Sequence, residues 1–163
     1  MIVLDTSALL AAYDRSQPEH EAVMRVLRTR SDEPLLLSPF VLAELDYLLC
    51  RRVGVDAELT ALQDVSDGVY MLMPFEQAAI TDAVRLIDKY RSFDIGLADA
   101  SVVVAAGRSR TTQVLTLDQR HFRAMKPLWG TRSPCCPPTR LEVGTLGGVS
   151  GRWGCPPGWR PRW

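Results

Sequence analysis

The chain has 163 residues and a mass of 18.1 kDa, enough for one domain with a real core and too little for two. Hydrophobic residues make up 47% of it and charged residues 23%, which excludes a largely disordered or collagen-like protein. The longest apolar run, Ala8 to Tyr13, is six residues, against the roughly 20 of a membrane span. The start Met1-Ile2-Val3-Leu4-Asp5 lacks the basic segment of a secretory signal, so a cytoplasmic location away from membranes is expected.

In chain order, Ile2-Val3-Leu4 is a short strand, and Thr6 or Ser7 offers a cap for a helix reaching Tyr13. A second helix is predicted from Pro18, with Ala22, Val23, Val26 and Leu27 at helical spacing, and Leu35-Leu36-Leu37 is a buried strand. Ser38-Pro39 starts a helix through Val53, because a hydroxyl caps it and the missing N–H of proline costs nothing at the first position. Gly54 ends it. A helix over 56–67, a strand over 69–73 and a helix over 75–90 follow. Beyond the loop 92–96 come a helix of small residues, 97–107, and a strand, 113–117, ended by Asp118. Strands separated by helices imply an α/β fold, a parallel sheet flanked by helices on both faces.

The net charge of +0 averages two unlike parts. Up to Gly130 there are 14 Lys and Arg against 18 Asp and Glu, whereas Thr131 to Trp163 carries five Arg and one Glu. Those 33 residues also hold six of the 11 Pro, six of the 11 Gly and three of the four Cys, with no sustained apolar period. They read as an irregular tail, 131–163, behind a domain, 1–130. Cys135, Cys136 and Cys155 lack the spaced pairs and nearby histidine of a zinc site, and Cys50 lies alone, so all four read as incidental thiols.

Candidate chemistry lies where strands give way to helices, since ligands of parallel sheets collect outside the carboxyl ends of the strands. Asp5 ends the first strand and Asp118 the last. Glu44 shares a helical stripe with Phe40, Val41 and Leu48, and Asp99 shares one with Val102, Val103 and Ala106. An unpaired buried carboxylate costs several kcal/mol, and few basic residues lie near these four in sequence. A hard cation such as Mg²⁺ or Mn²⁺, which prefers carboxylate and water oxygens, would stabilise them together. The competing reading is that Asp5 and Asp118 cap helices while Glu44 and Asp99 find internal hydrogen bonds.

Val3-Leu4-Asp5-Thr6-Ser7-Ala8, Glu44 in Ser38-Pro39-Phe40-Val41-Leu42-Ala43-Glu44-Leu45, Asp99 in Leu97-Ala98-Asp99-Ala100-Ser101, and Thr116-Leu117-Asp118 ahead of His121-Phe122 come in one order. Together they resemble the PIN-domain ribonucleases and, more narrowly, the VapC toxins of bacterial toxin–antitoxin pairs, over roughly Met1 to Trp129. The resemblance implies a three-layer sandwich with the acids at the carboxyl end of its sheet. It makes Asp5 and Asp99 the main Mg²⁺ or Mn²⁺ ligands, with Glu44 and Asp118 completing the site directly or through water. Thr6 or Ser7 would give a hydroxyl to the substrate phosphate or the acid cluster, and Asp94 is a loop acid beside the site. It further implies a VapB-like antitoxin covering the acidic groove, and a homodimer.

The reaction expected is hydrolysis of RNA by metal-activated water, leaving a 5′-phosphate and a 3′-hydroxyl. Histidine usage agrees: His20 reads as a surface residue and His121 as local packing or a substrate contact, where a metal-free ribonuclease needs a general base and acid. Arg51, Arg52, Arg108, Arg110, Arg120, Arg123 and Lys126 could meet phosphate, but several complement helix C-termini, and none is assigned to RNA. The tail departs from the family, whose chains close the sheet with a further short strand soon after the position of Gly130. Here only Leu141-Glu142-Val143 could replace that strand, in a segment of frameshift-like composition that would otherwise leave an edge exposed. Two other classes stay open. An aspartate-based phosphatase would use Asp5 as nucleophile, but lacks a second acid two residues on. A noncatalytic PIN-like binding module would keep the acids without the reaction.

Overall fold

A computed structural model describes residues 1–118 and the backbone of 142–143. Five parallel strands form one sheet in the order β3-β2-β1-β4-β5: β1 (Ile2–Leu4), β2 (Leu35–Leu37), β3 (Met71–Leu72), β4 (Gln113–Leu115) and β5 (Glu142–Val143). Between them run α1 (Thr6–Tyr13), α2 (His20–Thr29), α3 (Pro39–Arg52), α4 (Val55–Ser66), α5 (Gln77–Lys89) and α6 (Leu97–Arg108), with a 3₁₀ turn at Arg91–Phe93. Among the described residues no helix is long and apolar enough to cross a membrane.

β1 and β2 are apolar throughout, and β4 is apolar after Gln113, because both sheet faces are covered. Val3, Leu4, Leu36 and Leu37 are fully buried, and α6 buries every residue from Ala100 to Ala106. The register places Leu4 beside Leu115, and the Asp5 N–H donates to the Leu115 carbonyl at 3.0 Å. The exits of β1 and β4, more than a hundred residues apart in sequence, are thereby neighbours. Ser38 caps α3 as its sequence predicts, its Oγ accepting from the Phe40 N–H at 3.2 Å.

Several boundaries differ from the sequence reading. The helix expected from Pro18 begins at His20, after a turn organised by Asp14, whose carboxylate accepts from the Ser16 N–H and hydroxyl and from Gln17. His20 is half-buried instead of on the surface; its Nδ1–H donates to the Ala11 carbonyl at 2.8 Å, fastening α2 to α1. The strand expected over 69–73 shortens to two exposed residues, as suits an edge. The strand expected to reach Leu117 stops at Leu115; past it the Asp118 N–H donates to the Thr116 hydroxyl, which itself donates to Asp5. Residues 142–143, the strand-like stretch of the tail, lie beside β4, with Glu142 opposite Gln113. The rest of 119–163, including His121 and three of the cysteines, lies outside the described residues.

Candidate active site

Asp5 is the first residue past β1 and occupies the N-cap position of α1, yet its side chain caps nothing. It is 6% exposed. One oxygen, Oδ2, accepts the Ser7 hydroxyl at 2.6 Å and the Thr116 hydroxyl at 2.7 Å. Thr116 is itself buried, and its Oγ1 accepts the Asp118 backbone N–H at 3.0 Å. Ser7 Oγ in turn accepts the Leu117 N–H at 2.9 Å. Two hydroxyls therefore clamp the ends of β1 and β4 around one carboxylate. The adjacent hydroxyl, Thr6 Oγ1, donates to Glu44 Oε2 at 2.6 Å and links α1 to α3.

Thr6 and Ser7, offered by the sequence as helix caps, instead donate to acids; Ser7 Oγ also accepts the Leu117 N–H, away from its own helix. Glu44 is exposed and not embedded in an apolar stripe. The buried line of α3 runs through Val41, Leu45 and Leu49, and Glu44 borders it, between the half-buried Phe40 and Leu48. Asp99 is half-buried in the first turn of α6, its Oδ2 accepting the Gly96 N–H at 2.9 Å. That bond fixes the carboxylate on the helix it begins. Asp118 is half-buried. Asp94 is exposed in a left-handed turn, with φ of 55°, and no hydrogen bond joins it to the other acids.

Burial pushes the Asp5 carboxyl above the usual carboxylate range, and the charge of Asp99 pushes it the same way. The hydroxyls of Ser7 and Thr116 pull in the opposite direction without cancelling this. None of the five ion pairs among the described residues includes Asp5 or Glu44. The acids do not close into a ready cage: among the described residues, no three Asp, Glu, His or Cys side chains are gathered tightly enough to enclose an ion. The carboxylates of Asp5, Glu44 and Asp99 are each held instead by a hydroxyl or a backbone N–H. Thr116 is the residue the sequence reading assigned no role. Its signal was its place just past β4, since a parallel neighbour of β1 puts a side chain beyond its end beside Asp5.

A parallel sheet with acids at its carboxyl edge, on these strands and helices, defines the PIN-domain class, and the PIN domain family matches residues 2–127. The chain is 46% identical over 136 residues to Ribonuclease VapC26 of Mycobacterium tuberculosis, an alignment spanning 83% of this chain and 100% of that protein. Its fold is similar to that of M. tuberculosis VapC20, a Sarcin-Ricin loop cleaving toxin, with a TM-score of 0.70 at 20% identity, over 76% of this chain and 95% of that one. A toxin-antitoxin complex from Klebsiella pneumoniae gives 0.58 at 16% identity, over 77% and 92%. The chain belongs to the VapC ribonucleases of the PIN-domain family, the toxins of toxin–antitoxin systems.

Proposed function

We propose that this chain is a Mg²⁺-dependent endoribonuclease, with Mn²⁺ as a substitute, that hydrolyses phosphodiesters at the carboxyl edge of its sheet. The observation carrying this reading is Asp5: a buried carboxylate beside the charge of Asp99, oriented by two hydroxyls and paired with no cation among the described residues. A donor set of carboxylate oxygens, with neither Cys nor His among them, fits a hard divalent ion. Asp5 and Asp99 would hold it, with Glu44 and Asp118 as further or water-mediated ligands. Bound there, the ion supplies charge neutralisation for the phosphodiester and lowers the pKa of attacking water.

The residues of the chain have separate tasks. Ser7 and Thr116 hold Asp5 in one orientation, as hydroxyl partners of ligating carboxylates do. Thr6 holds Glu44 at the rim, and Gly96 fixes Asp99 from behind. With water attacking the phosphorus and the P–O3′ bond breaking, the 3′-oxygen leaves as a hydroxyl and the phosphate stays on the 5′-oxygen, and the RNA 2′-hydroxyl is not consumed. A VapB-like antitoxin would silence the site by laying an arginine against these carboxylates, in competition with both ion and phosphate. The protein would act on cytoplasmic RNA, as a homodimer.

The test is end mapping of total RNA after incubation with the purified chain. Mg²⁺-dependent cuts with 5′-phosphate ends, absent with chelator and absent for Asp99→Asn, are the expected result. Cuts that persist with chelator, or that leave cyclic phosphates, would overturn the reading.

A further inference from the structure

We infer that Phe40, braced by Phe75, stacks an unpaired nucleobase of the substrate next to the scissile phosphate. The inference rests on the nuclease reading above and deepens it. Both rings lie at the carboxyl edge of the sheet, Phe40 in the first turn of α3 directly after β2 and Phe75 three residues after β3. They meet edge to face, with centroids 5.0 Å apart and planes at 89°. Phe75 is packed against the hydrophobic core, whereas Phe40 is half-buried and held outside it.

In an edge-to-face pair one ring offers a face and the other an edge, so at least one face of Phe40 is left uncovered by Phe75. The Ser38 cap and the fixed backbone of Pro39 set where this ring begins. Phe40 precedes Glu44 by four residues, which puts both on one face of α3 with Cβ atoms about 6 Å apart. Glu44 is tied to Thr6, the neighbour of Asp5, so the aromatic ring is one helical turn from the acids. An acidic edge repels a phosphate that lacks an ion, but stacking needs no charge and tolerates that surrounding. A base inside a duplex has both faces taken by its neighbours, and only an unpaired one can lie on Phe40.

The test uses the full-length chain with Mg²⁺ and an oligoribonucleotide spanning a mapped cut, alone and annealed to its complement. The single strand is cut and the duplex resists. Phe40→Leu keeps an apolar side chain without a π face and raises KM about tenfold or more, within the range of base stacking on one aromatic; kcat moves less, and Phe40→Trp restores KM. An abasic nucleotide at one position beside the cut raises the wild-type KM to the same extent and adds nothing in Phe40→Leu. Should Phe40→Leu lose its helical circular dichroism, the abasic series on the wild-type chain decides: a single sensitive position supports the inference and none overturns it. Equal KM for wild type and Phe40→Leu, or equal cutting of duplex and single strand, removes the stacking role while the nuclease reading stands. No Mg²⁺-dependent cutting of any RNA by the wild type removes both.

Discussion

Two polar clusters flank α1, and they are built to opposite ends. At its C-terminus the Tyr13 hydroxyl donates to Asp64 at 2.6 Å and lies 2.8 Å from the Tyr70 hydroxyl. Burial pushes both tyrosines well above the ordinary phenol range, so they stay neutral donors, and the Asp64 carboxylate is supplied with a proton donor from within the chain. At its N-terminus Asp5, Glu44 and Asp99 receive hydrogen bonds from Ser7, Thr116, Thr6 and Gly96, yet among the described residues no ion pair reaches the buried Asp5 carboxyl. The first cluster is complete and serves packing. The second is oriented but, among the described residues, has no cation at Asp5, the gap that the proposed ion would fill.

The largest effect falls on the open cluster. Asp5→Asn or Asp99→Asn should lower RNA cleavage by about three orders of magnitude or more, the scale of several kcal/mol of transition-state charge stabilisation. Circular dichroism should be unchanged, because neither side chain carries the core. A variant that retains a tenth of wild-type cleavage would break the contrast between the clusters. The next effect falls on the orienting hydroxyl: Thr116→Val should weaken Mg²⁺ binding by about 10- to 100-fold, read by calorimetric titration, as loss of a partner behind a ligand does. Thr116→Ser should restore it.

At the closed cluster Tyr13→Phe should cost about 1–3 kcal/mol of stability, because Asp64 loses its donor in a part-buried setting. Denaturant unfolding measures this, and cleavage per folded molecule should be unaffected. The smallest effect is a pH dependence at the Asp14 turn. Hydrogen bonds from Ser16, and then Gln17, hold the Asp14 carboxyl below its usual range. Its folded pKa is thus below its unfolded one, so this turn contributes stability in full above about pH 3.8 and loses it as the pH falls further. Melting temperatures of wild type and Asp14→Asn should converge below that pH; a constant difference down to pH 2 would count against it.

Much of the fold, and the acids of the open cluster, were legible in the sequence, because local chemistry wrote them. Three-leucine β2, the Ser38-Pro39 helix start and the alternation of strands and helices follow from short-range preferences, and they alone place Asp5 and Asp118 at strand exits. What could not be read depends on which strands are neighbours. Only the β1–β4 register brings Thr116 to Asp5, and only the packing of α1 on α3 brings Thr6 to Glu44. Periodicity also placed Glu44 within an apolar stripe when it borders one, since residues adjacent on a helix surface can lie on either side of the line where the core ends. The Tyr13–Asp64–Tyr70 cluster joins residues 51 and 57 positions apart and leaves no local trace.

The central claim is that the acidic edge takes up a divalent cation, and thermal unfolding of the metal-free chain against Mg²⁺ concentration tests it most directly. The account predicts a melting temperature that climbs with Mg²⁺, reaching about 2.7 kcal/mol of added stability at a hundred times Kd, and an Asp5→Asn/Asp99→Asn protein that does not respond. A wild-type chain indifferent to Mg²⁺ and Mn²⁺, or a double variant stabilised as much as the wild type, would contradict it.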